Sequence, residues 1–154
     1  MENQSEGPQP AEKKKKKLKL KGHAKRRGET AELAFMLRAA SLGFGVAKPW
    51  GESERYDVIL DSGKRLWRIQ VRSTACKVRG RYRVTTTVTG QVILSAADID
   101  VLVAYIVPLD IWYLVPVGAI CSRTDLRFYP HGPSNGASRA VDLEIFREAW
   151  HIFR

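Results

Sequence analysis

The residues best suited to chemistry lie in residues 55–74, RYDVILDSGKRLWRIQVRST, where two strand-like segments flank a turn. Because side chains alternate between the two faces of a strand, Arg68, Gln70 and Arg72 share one face. A two-residue turn pairs Asp57 with Arg68, and a turn two residues longer pairs Asp57 with Gln70. A slip of one residue would turn apolar side chains outward, which burial forbids. Both registers therefore gather a carboxylate, an amide and two guanidinium groups on one patch.

This patch has a plain structural interpretation and a chemical one. As an exposed polar face, its cross-strand charge pairs would each contribute about 0.2–1 kcal/mol. As a functional site, the patch would bring an acid, an amide and two cationic groups together on one surface. The elements around the patch decide between the two interpretations.

A helix precedes the patch in GETAELAFMLRAASLGFG, where helix-forming residues run from Glu29 to Ala40 and a glycine cap follows. The apolar residues that recur at the spacing of one helical face are Leu33, Met36, Leu37 and Ala40. This spacing predicts that the face they form is buried.

The remaining segments predict further strands and a second helix. YRVTTTVT is typical of a strand, and DIDVLVAYIV and IWYLVPV form a hairpin whose continuous apolar content predicts burial. FGVAKPW is a short β-like segment, and VDLEIFREAW is a closing amphipathic helix. This order predicts a mixed sheet with helices packed against it, of the α/β or α+β class.

Positive charge is concentrated in two parts of the chain, whose net charge is +10. Residues 1–27 hold ten Lys and Arg against three Glu. This low-complexity segment predicts a disordered basic arm, which serves either nucleic acid or solubility. Residues 62–97 hold eight basic residues and no acidic one, which predicts a surface for a polyanion, with an ordinary solvated surface as the alternative.

Several classes of protein find no support in the sequence. Cys76 and Cys121 have neither disulfide-framework nor zinc-site spacing, and they indicate a reducing compartment. No signal peptide or apolar run of membrane-spanning length is visible, so we expect no membrane association and a cytoplasmic location, with the nucleoid if the protein is bacterial. The three histidines lack metal-ligand spacing, and no nucleophile-elbow serine or glycine-rich phosphate loop occurs.

The order of the segments resembles the PD-(D/E)xK nuclease superfamily, and especially its small bacterial endonucleases, with their homing-endonuclease branch, and its Holliday-junction resolvases. GETAELAF resembles the leading helix of that superfamily, KPWGESERYDVIL and RIQVRST resemble its two central strands, and SAADIDVLVAYIVPLDIWYLVP resembles the segment that follows. The resemblance implies an α/β, restriction-endonuclease-like fold: helix, three-strand meander, helical segment, two buried strands and a C-terminal helix. It also implies a nuclease domain at residues 28–154 after a disordered arm at residues 1–27.

The resemblance further implies a metal-dependent phosphodiesterase that uses Mg²⁺ or Mn²⁺. Carried over by position, Glu32 and Asp57 are metal ligands, and Gln70 occupies the position of the second motif acid. The carbonyl of Val71 is a further ligand, and Arg72 stands where the motif has its lysine. The implied catalytic set is therefore Glu32, Asp57, Gln70 and Arg72.

Three departures from the motif leave other functions open. Tyr56 replaces the proline before Asp57, Gln70 keeps an oxygen ligand but removes a negative charge, and Arg72 is larger than lysine and cannot lose a proton. One alternative is therefore a nucleic-acid-binding protein with a decayed active site. Another is a basic domain that recognises an acidic protein partner.

DNA is the predicted partner, and the residues predicted to contact it are basic, with one aromatic residue among them. They are Arg68, Lys77, Arg79, Arg81, Tyr82, Arg83 and, in the arm, Lys13, Lys14, Lys15, Lys16 and Lys17. Because one active site cuts one strand, we expect double-strand cutting to need a homodimer or a higher homo-oligomer.

Overall fold

The computed structural model describes residues 10–132 and 143–154, with side chains described from His23 onward. One α-helix and nine strands make up its regular structure in these residues. In chain order they are α1 (Pro10–Ser41), β1 (Gly45–Ala47), β2 (Val58–Asp61), β3 (Leu66–Thr74), β4 (Tyr82–Thr85), β5 (Thr87–Val88), β6 (Val92–Ile93), β7 (Val101–Ile106), β8 (Ile111–Pro116) and β9 (Asp125–Phe128).

The centre of the fold is a five-stranded mixed sheet in the order β1-β2-β3-β7-β8. β3 and β7 run parallel, and the other neighbours in this sheet are antiparallel. The predicted mixed α/β class is confirmed, and so is the buried hairpin, since β7 and β8 are covered on both faces.

α1 covers one face of this sheet, but not with the predicted side. Ala31, Phe35 and Ala39 are buried against the sheet, whereas Leu33 and Leu37 are 64% and 72% exposed. The helix carries two apolar stripes, and the buried one combines a large aromatic ring with two alanines that allow close approach. Phe35 lies against Trp112 and Trp150 from other elements, contacts that helical spacing alone does not reveal.

The helix is also longer than predicted. It begins at Pro10 rather than Glu29 and ends before Gly43, whose φ of 90° suits the predicted cap. Residues 10–27, predicted as a disordered arm, are therefore helical, because Ala, Glu, Lys and Leu are strong helix formers and proline is favoured at the first position. Residues 1–9 of that arm lie outside the described residues.

Other predicted elements are different in the structure. β4, predicted as the third strand of a meander, pairs with β9 in a separate two-stranded sheet that packs on the opposite face of the central sheet from α1. The helical segment predicted between the meander and the two buried strands is instead a turn. In this turn the Ser95 N–H and Oγ–H donate to Asp98 Oδ2.

The predicted C-terminal helix consists, in its described part, of two 3₁₀ turns at Glu144–Phe146 and Trp150–Phe153. Between them, Glu148 exchanges backbone and side-chain hydrogen bonds with Trp112 of β8, and its carboxylate also accepts from Trp150 Nε1. These tertiary bonds hold the segment against the edge of β8 and take the place of bonds within a helix. No helix in the described residues is long and apolar enough to cross a bilayer.

Candidate active site

The hairpin of β2 and β3 has the longer of the two predicted registers. Val58 pairs with Ile69 and Asp61 with Leu66, which sets Asp57 opposite Gln70. Asp57 Oδ2 accepts hydrogen bonds from Gln70 Nε2 at 2.5 Å and from the Val71 N–H at 2.7 Å. The acid and the amide predicted from strand alternation are therefore in direct contact.

The edge of β3 next to Asp57 is open beyond this contact. The ladder with β2 starts at Val58, so among the described residues no strand pairs with Val71 on that side. The N–H and C=O of a strand residue point to the same edge, so the Val71 carbonyl faces the same side as its N–H, which donates to Asp57. An acceptor oxygen from the backbone thus lies beside the carboxylate, as the motif implies.

Glu32 of α1 lies in the same pocket as Asp57. The pocket has a volume of about 380 Å³, and α1, the segment after β1 and the start of β2 enclose it. Burial is the main cause of the raised pKa of Asp57, and charge interaction with Glu32 raises it further. The two acids that the motif places far apart in sequence therefore converge on one cavity.

Lys48 also lies in this pocket and is absent from the predicted site. Its Nζ is 2.6 Å from Glu32 Oε2, and this hydrogen bond is the main cause of the raised pKa of Lys48. Its charge also acts on Asp57, whose pKa it lowers. The sequence signal was the short segment FGVAKPW, which places a lysine directly after a β-like run.

The pocket is acidic within a strongly basic chain. Five carboxylates and two ammonium groups line it: Glu29, Glu32, Glu52, Glu54 and Asp57 against Lys25 and Lys48. Burial raises the pKa of Asp57 from its ordinary value to about 6, while the Val71 N–H and the charges of Arg72 and Lys48 act in the opposite direction. A negatively charged pocket with a partly buried acid is an environment that attracts a cation.

In the metal-free protein, the ionisation of Asp57 should destabilise the fold as the pH rises. Folded Asp57 keeps its proton up to about pH 6, whereas in the unfolded chain it loses the proton at about pH 4. Unfolding therefore becomes more favourable as the pH rises between these two values. The Asp57→Asn variant should therefore be more stable than the wild type at high pH. The difference between their free energies of unfolding should be about 1–2 kcal/mol larger at about pH 8 than at about pH 4.5. Urea unfolding in EDTA measures both values, and an equal gain at the two pH values would contradict the shift.

Arg72 lies beside the pocket rather than in it. Its guanidinium donates to the Thr87 carbonyl at 3.2 Å, and its Nε is buried with no acceptor among the described residues. The side chain lines a neighbouring groove of about 680 Å³ between α1 and the end of β3. His23, Arg26 and Arg27 line this groove as well, and Ala24 and Gly28 belong to both cavities. A basic groove therefore adjoins the acidic pocket.

Two residues predicted to contact DNA have other roles. The Arg68 guanidinium forms an ion pair with Asp100 at 3.2 Å and donates to the carbonyls of Ala96 and Ala97, which occupies its donors and ties β3 to the turn before β7. Tyr82 is only 5% exposed and lies in the core between the two sheets, so its ring is not available to a base. Both roles depend on long-range contacts that strand alternation does not specify.

The other basic residues of this strip remain predicted DNA contacts. Lys77, Arg79 and Arg83 are exposed, and Arg81 is partly exposed. Arg79 and Gly80 both have positive φ values, 49° and 78°, at the tip of a tight turn closed by Val78 and Arg81. The side chains of Lys13–Lys17 lie outside the described part of the chain.

The pocket fits a hard divalent cation in the types of its donors. Among the described residues, no group of three or more His, Cys, Asp and Glu side chains is placed to share a metal. The available set is the carboxylates of Glu32 and Asp57, the amide of Gln70 and the carbonyl of Val71, all oxygen donors. Mg²⁺ prefers oxygen ligands and keeps several waters, so a set with two carboxylates suits it.

Comparisons with known proteins found a matching family and a similar solved structure. The sequence model of a family described as PD-(D/E)XK endonuclease matches residues 22–151. The solved structure of a bacterial homing endonuclease, I-Ssp6803I, is similar with a TM-score of 0.72 and 28% sequence identity, over 83% of this chain and 90% of that chain. No curated protein matches significantly.

Proposed function

The chain belongs to the PD-(D/E)XK endonuclease family, as the order of its motif segments predicted, and from this membership we propose that it is a divalent-metal-dependent endonuclease that hydrolyses DNA. The observation that carries the proposal is the convergence of Glu32 and Asp57 on one acidic pocket, beside Gln70 and Val71. The similar homing endonuclease, at 28% identity, supports the same class of activity.

Glu32, Asp57 and Gln70 would hold Mg²⁺ or Mn²⁺, together with the carbonyl of Val71. A metal held there would polarise a phosphoryl oxygen and lower the pKa of a bound water. In hydrolysis, the oxygen of water forms a bond to phosphorus and one ester P–O bond breaks. The water loses a proton and the leaving oxygen gains one, so the products are a phosphomonoester and an alcohol.

The chain's own residues prepare this site in two ways. The Val71 N–H and the Gln70 amide fix the direction of the Asp57 carboxylate, which limits its freedom before a ligand arrives. Glu32 is only 18% exposed in its side chain and projects from a helix that Phe35 anchors in the core. Both acids are thus mounted on rigid elements, which favours a defined geometry.

The basic groove beside the pocket would hold the DNA backbone. Arg26 and Arg27 of α1 and Arg72 of β3 line it, and the exposed turn with Arg79 follows β3 along the chain. Positive side chains next to an acidic metal pocket separate the two tasks of binding phosphate and binding the cation. We also propose a homodimer or higher homo-oligomer for double-strand cutting.

The position of Arg72 favours a second candidate, a DNA-binding protein of this family without activity. Its guanidinium donates to Thr87 and lines the groove, so the side chain at the motif lysine position lies outside the acidic pocket and acts on Asp57 only through its charge. Such a protein would bind DNA but not cleave it.

A plasmid-nicking assay separates the two candidates. Supercoiled plasmid should be converted to nicked or linear DNA by the purified chain with Mg²⁺ or Mn²⁺, and conversion should stop with EDTA. DNA binding in Ca²⁺ or EDTA should weaken steeply with added salt, because neutralised phosphates release counterions. Salt-sensitive binding with no nicking in either metal would contradict the enzyme and favour the inactive binding protein.

A further inference from the structure

We propose that Lys48 is the catalytic cation of this site and takes the place of the lysine that the motif would put at position 72. The inference rests on the proposed nuclease function, and it names for that function a residue that follows β1 and lies on the other side of Asp57 from β3. It is carried by the geometry of Lys48, Glu32 and Arg72.

Lys48 is held beside the two acids by backbone pairing. Ala47 of β1 pairs with Ile59 of β2, so the next residue on each strand brings Lys48 alongside Val58, the neighbour of Asp57. Pro49 follows and restricts Lys48 to an extended backbone, which directs the chain away from the sheet at this point. Lys48 therefore reaches the pocket from the β1 side of Asp57, opposite to the β3 side from which a motif lysine would come.

Lys48 is one of two ammonium groups that line the pocket, and the other pairs with a different acid. Lys25 pairs with Glu52 at 3.2 Å, and both side chains are largely exposed, at 66% and 87%. Lys48 pairs with Glu32 at 2.6 Å and also acts on Asp57. Of the two, Lys48 is thus the ammonium group that forms an ion pair with a predicted metal ligand.

The charge state of Lys48 defines what it can do. Its Nζ lies 2.6 Å from Glu32 Oε2, so the ion pair holds a positive charge at the edge of the two acids. A protonated amine can donate to a phosphate oxygen and offset the negative charge that develops there. Lys48 is therefore placed to supply positive charge to the phosphate.

The ion pair also implies a coupling to metal binding. Glu32 Oε2 is engaged by Lys48, so a divalent cation that binds Glu32 must share or release that bond. Two positive charges near one carboxylate repel each other, so removing the Lys48 charge should strengthen metal binding. A released ammonium group would then be free to contact the phosphate of the bound DNA.

The test compares Lys48→Met with Lys25→Met, which removes the same charge from the outer part of the same pocket. Two measurements are made on the full chain: single-turnover plasmid nicking with Mg²⁺, and calorimetric titration with Mn²⁺ in the absence of DNA. Lys48→Met should nick at least about 100-fold more slowly and bind Mn²⁺ about three- to tenfold more tightly. Lys25→Met should stay within about threefold of wild type in both, and Lys48→Arg should recover part of the nicking rate.

The outcomes separate this inference from the proposed function. If the wild type nicks DNA and Lys48→Met nicks within about threefold of it, Lys48 is not the catalytic cation and the nuclease function stands. If Lys48→Met is slow but binds Mn²⁺ no more tightly than wild type, the placement of Lys48 beside the metal is overturned. If the wild type binds DNA and does not nick with either metal, the proposed function falls and the role of Lys48 falls with it. Lys48 is half exposed, and circular-dichroism melting verifies that the variants are folded.

Discussion

Asp57→Asn should lose metal-dependent nicking by at least about a thousandfold while it keeps its fold and its affinity for DNA. The substitution removes one of the two carboxylates next to which a metal would bind, and it keeps a carbonyl oxygen that can accept from Gln70 and Val71. Because the burial of Asp57 opposes its ionisation, loss of the charge should not weaken the fold. A loss of activity without a loss of stability is the expected signature of a metal ligand.

Single-turnover nicking, Mn²⁺ titration and DNA binding in EDTA are the measurements for this variant. The matched control is Glu52→Gln, which removes a carboxylate from the same pocket where that side chain is 87% exposed and paired with Lys25. Nicking by Glu52→Gln should stay within about threefold of wild type, since an exposed ion pair contributes little. An active Asp57→Asn, or equal losses in the two variants, would contradict the assignment of Asp57 as a metal ligand.

The core of the site could be predicted because its geometry follows from local rules. Asp57 and Gln70 lie on adjacent antiparallel strands, where the period of two and the burial of one face leave few registers. A loop two residues longer than the shortest turn was one of those registers, and it is the one observed. Glu32 was predicted from the order of the segments, and the family match over residues 22–151 supports that order.

The partners of the site's charges could not be predicted because they depend on distant segments. Lys48 pairs with Glu32 across 16 positions and Arg68 with Asp100 across 32, and neither spacing follows from helix or strand periodicity. A basic strip without acids in residues 62–97 suggests free guanidinium groups, yet Asp98 and Asp100 just beyond it neutralise Arg55, Arg65 and Arg68. The net charge of a segment therefore overstates the charge available to a polyanion when acidic residues from outside the segment form ion pairs with its basic residues.

The buried face of α1 shows a different limit. The predicted stripe of Leu33, Met36, Leu37 and Ala40 has good helical spacing, and its larger leucines are nevertheless exposed. Periodicity finds an apolar stripe but does not rank two stripes on one helix. The choice is made by what each stripe meets: Phe35 reaches Trp112 and Trp150, and the flanking alanines allow the helix to approach the sheet closely.

Phe35→Ala should therefore destabilise the protein by about 3–5 kcal/mol, whereas Leu37→Ala should change the free energy of unfolding by less than about 0.5 kcal/mol. Phe35 is fully buried, with ring centroids 5.7 Å from Trp150 and 6.0 Å from Trp112, so its removal leaves a cavity and ends both aromatic contacts. Leu37 is 72% exposed and has little contact area to lose.

Urea unfolding monitored by circular dichroism measures both changes. The comparison is direct if the free energy of unfolding depends on urea concentration with the same slope in each variant. If α1 packed through its predicted stripe, the ranking would reverse and Leu37→Ala would be the damaging substitution. The result also bears on the site, because Glu32 projects from α1 one turn before Phe35 and depends on this anchor for its position beside Asp57. We therefore expect Phe35→Ala to reduce nicking under conditions where it is still folded, and Leu37→Ala to leave nicking unchanged.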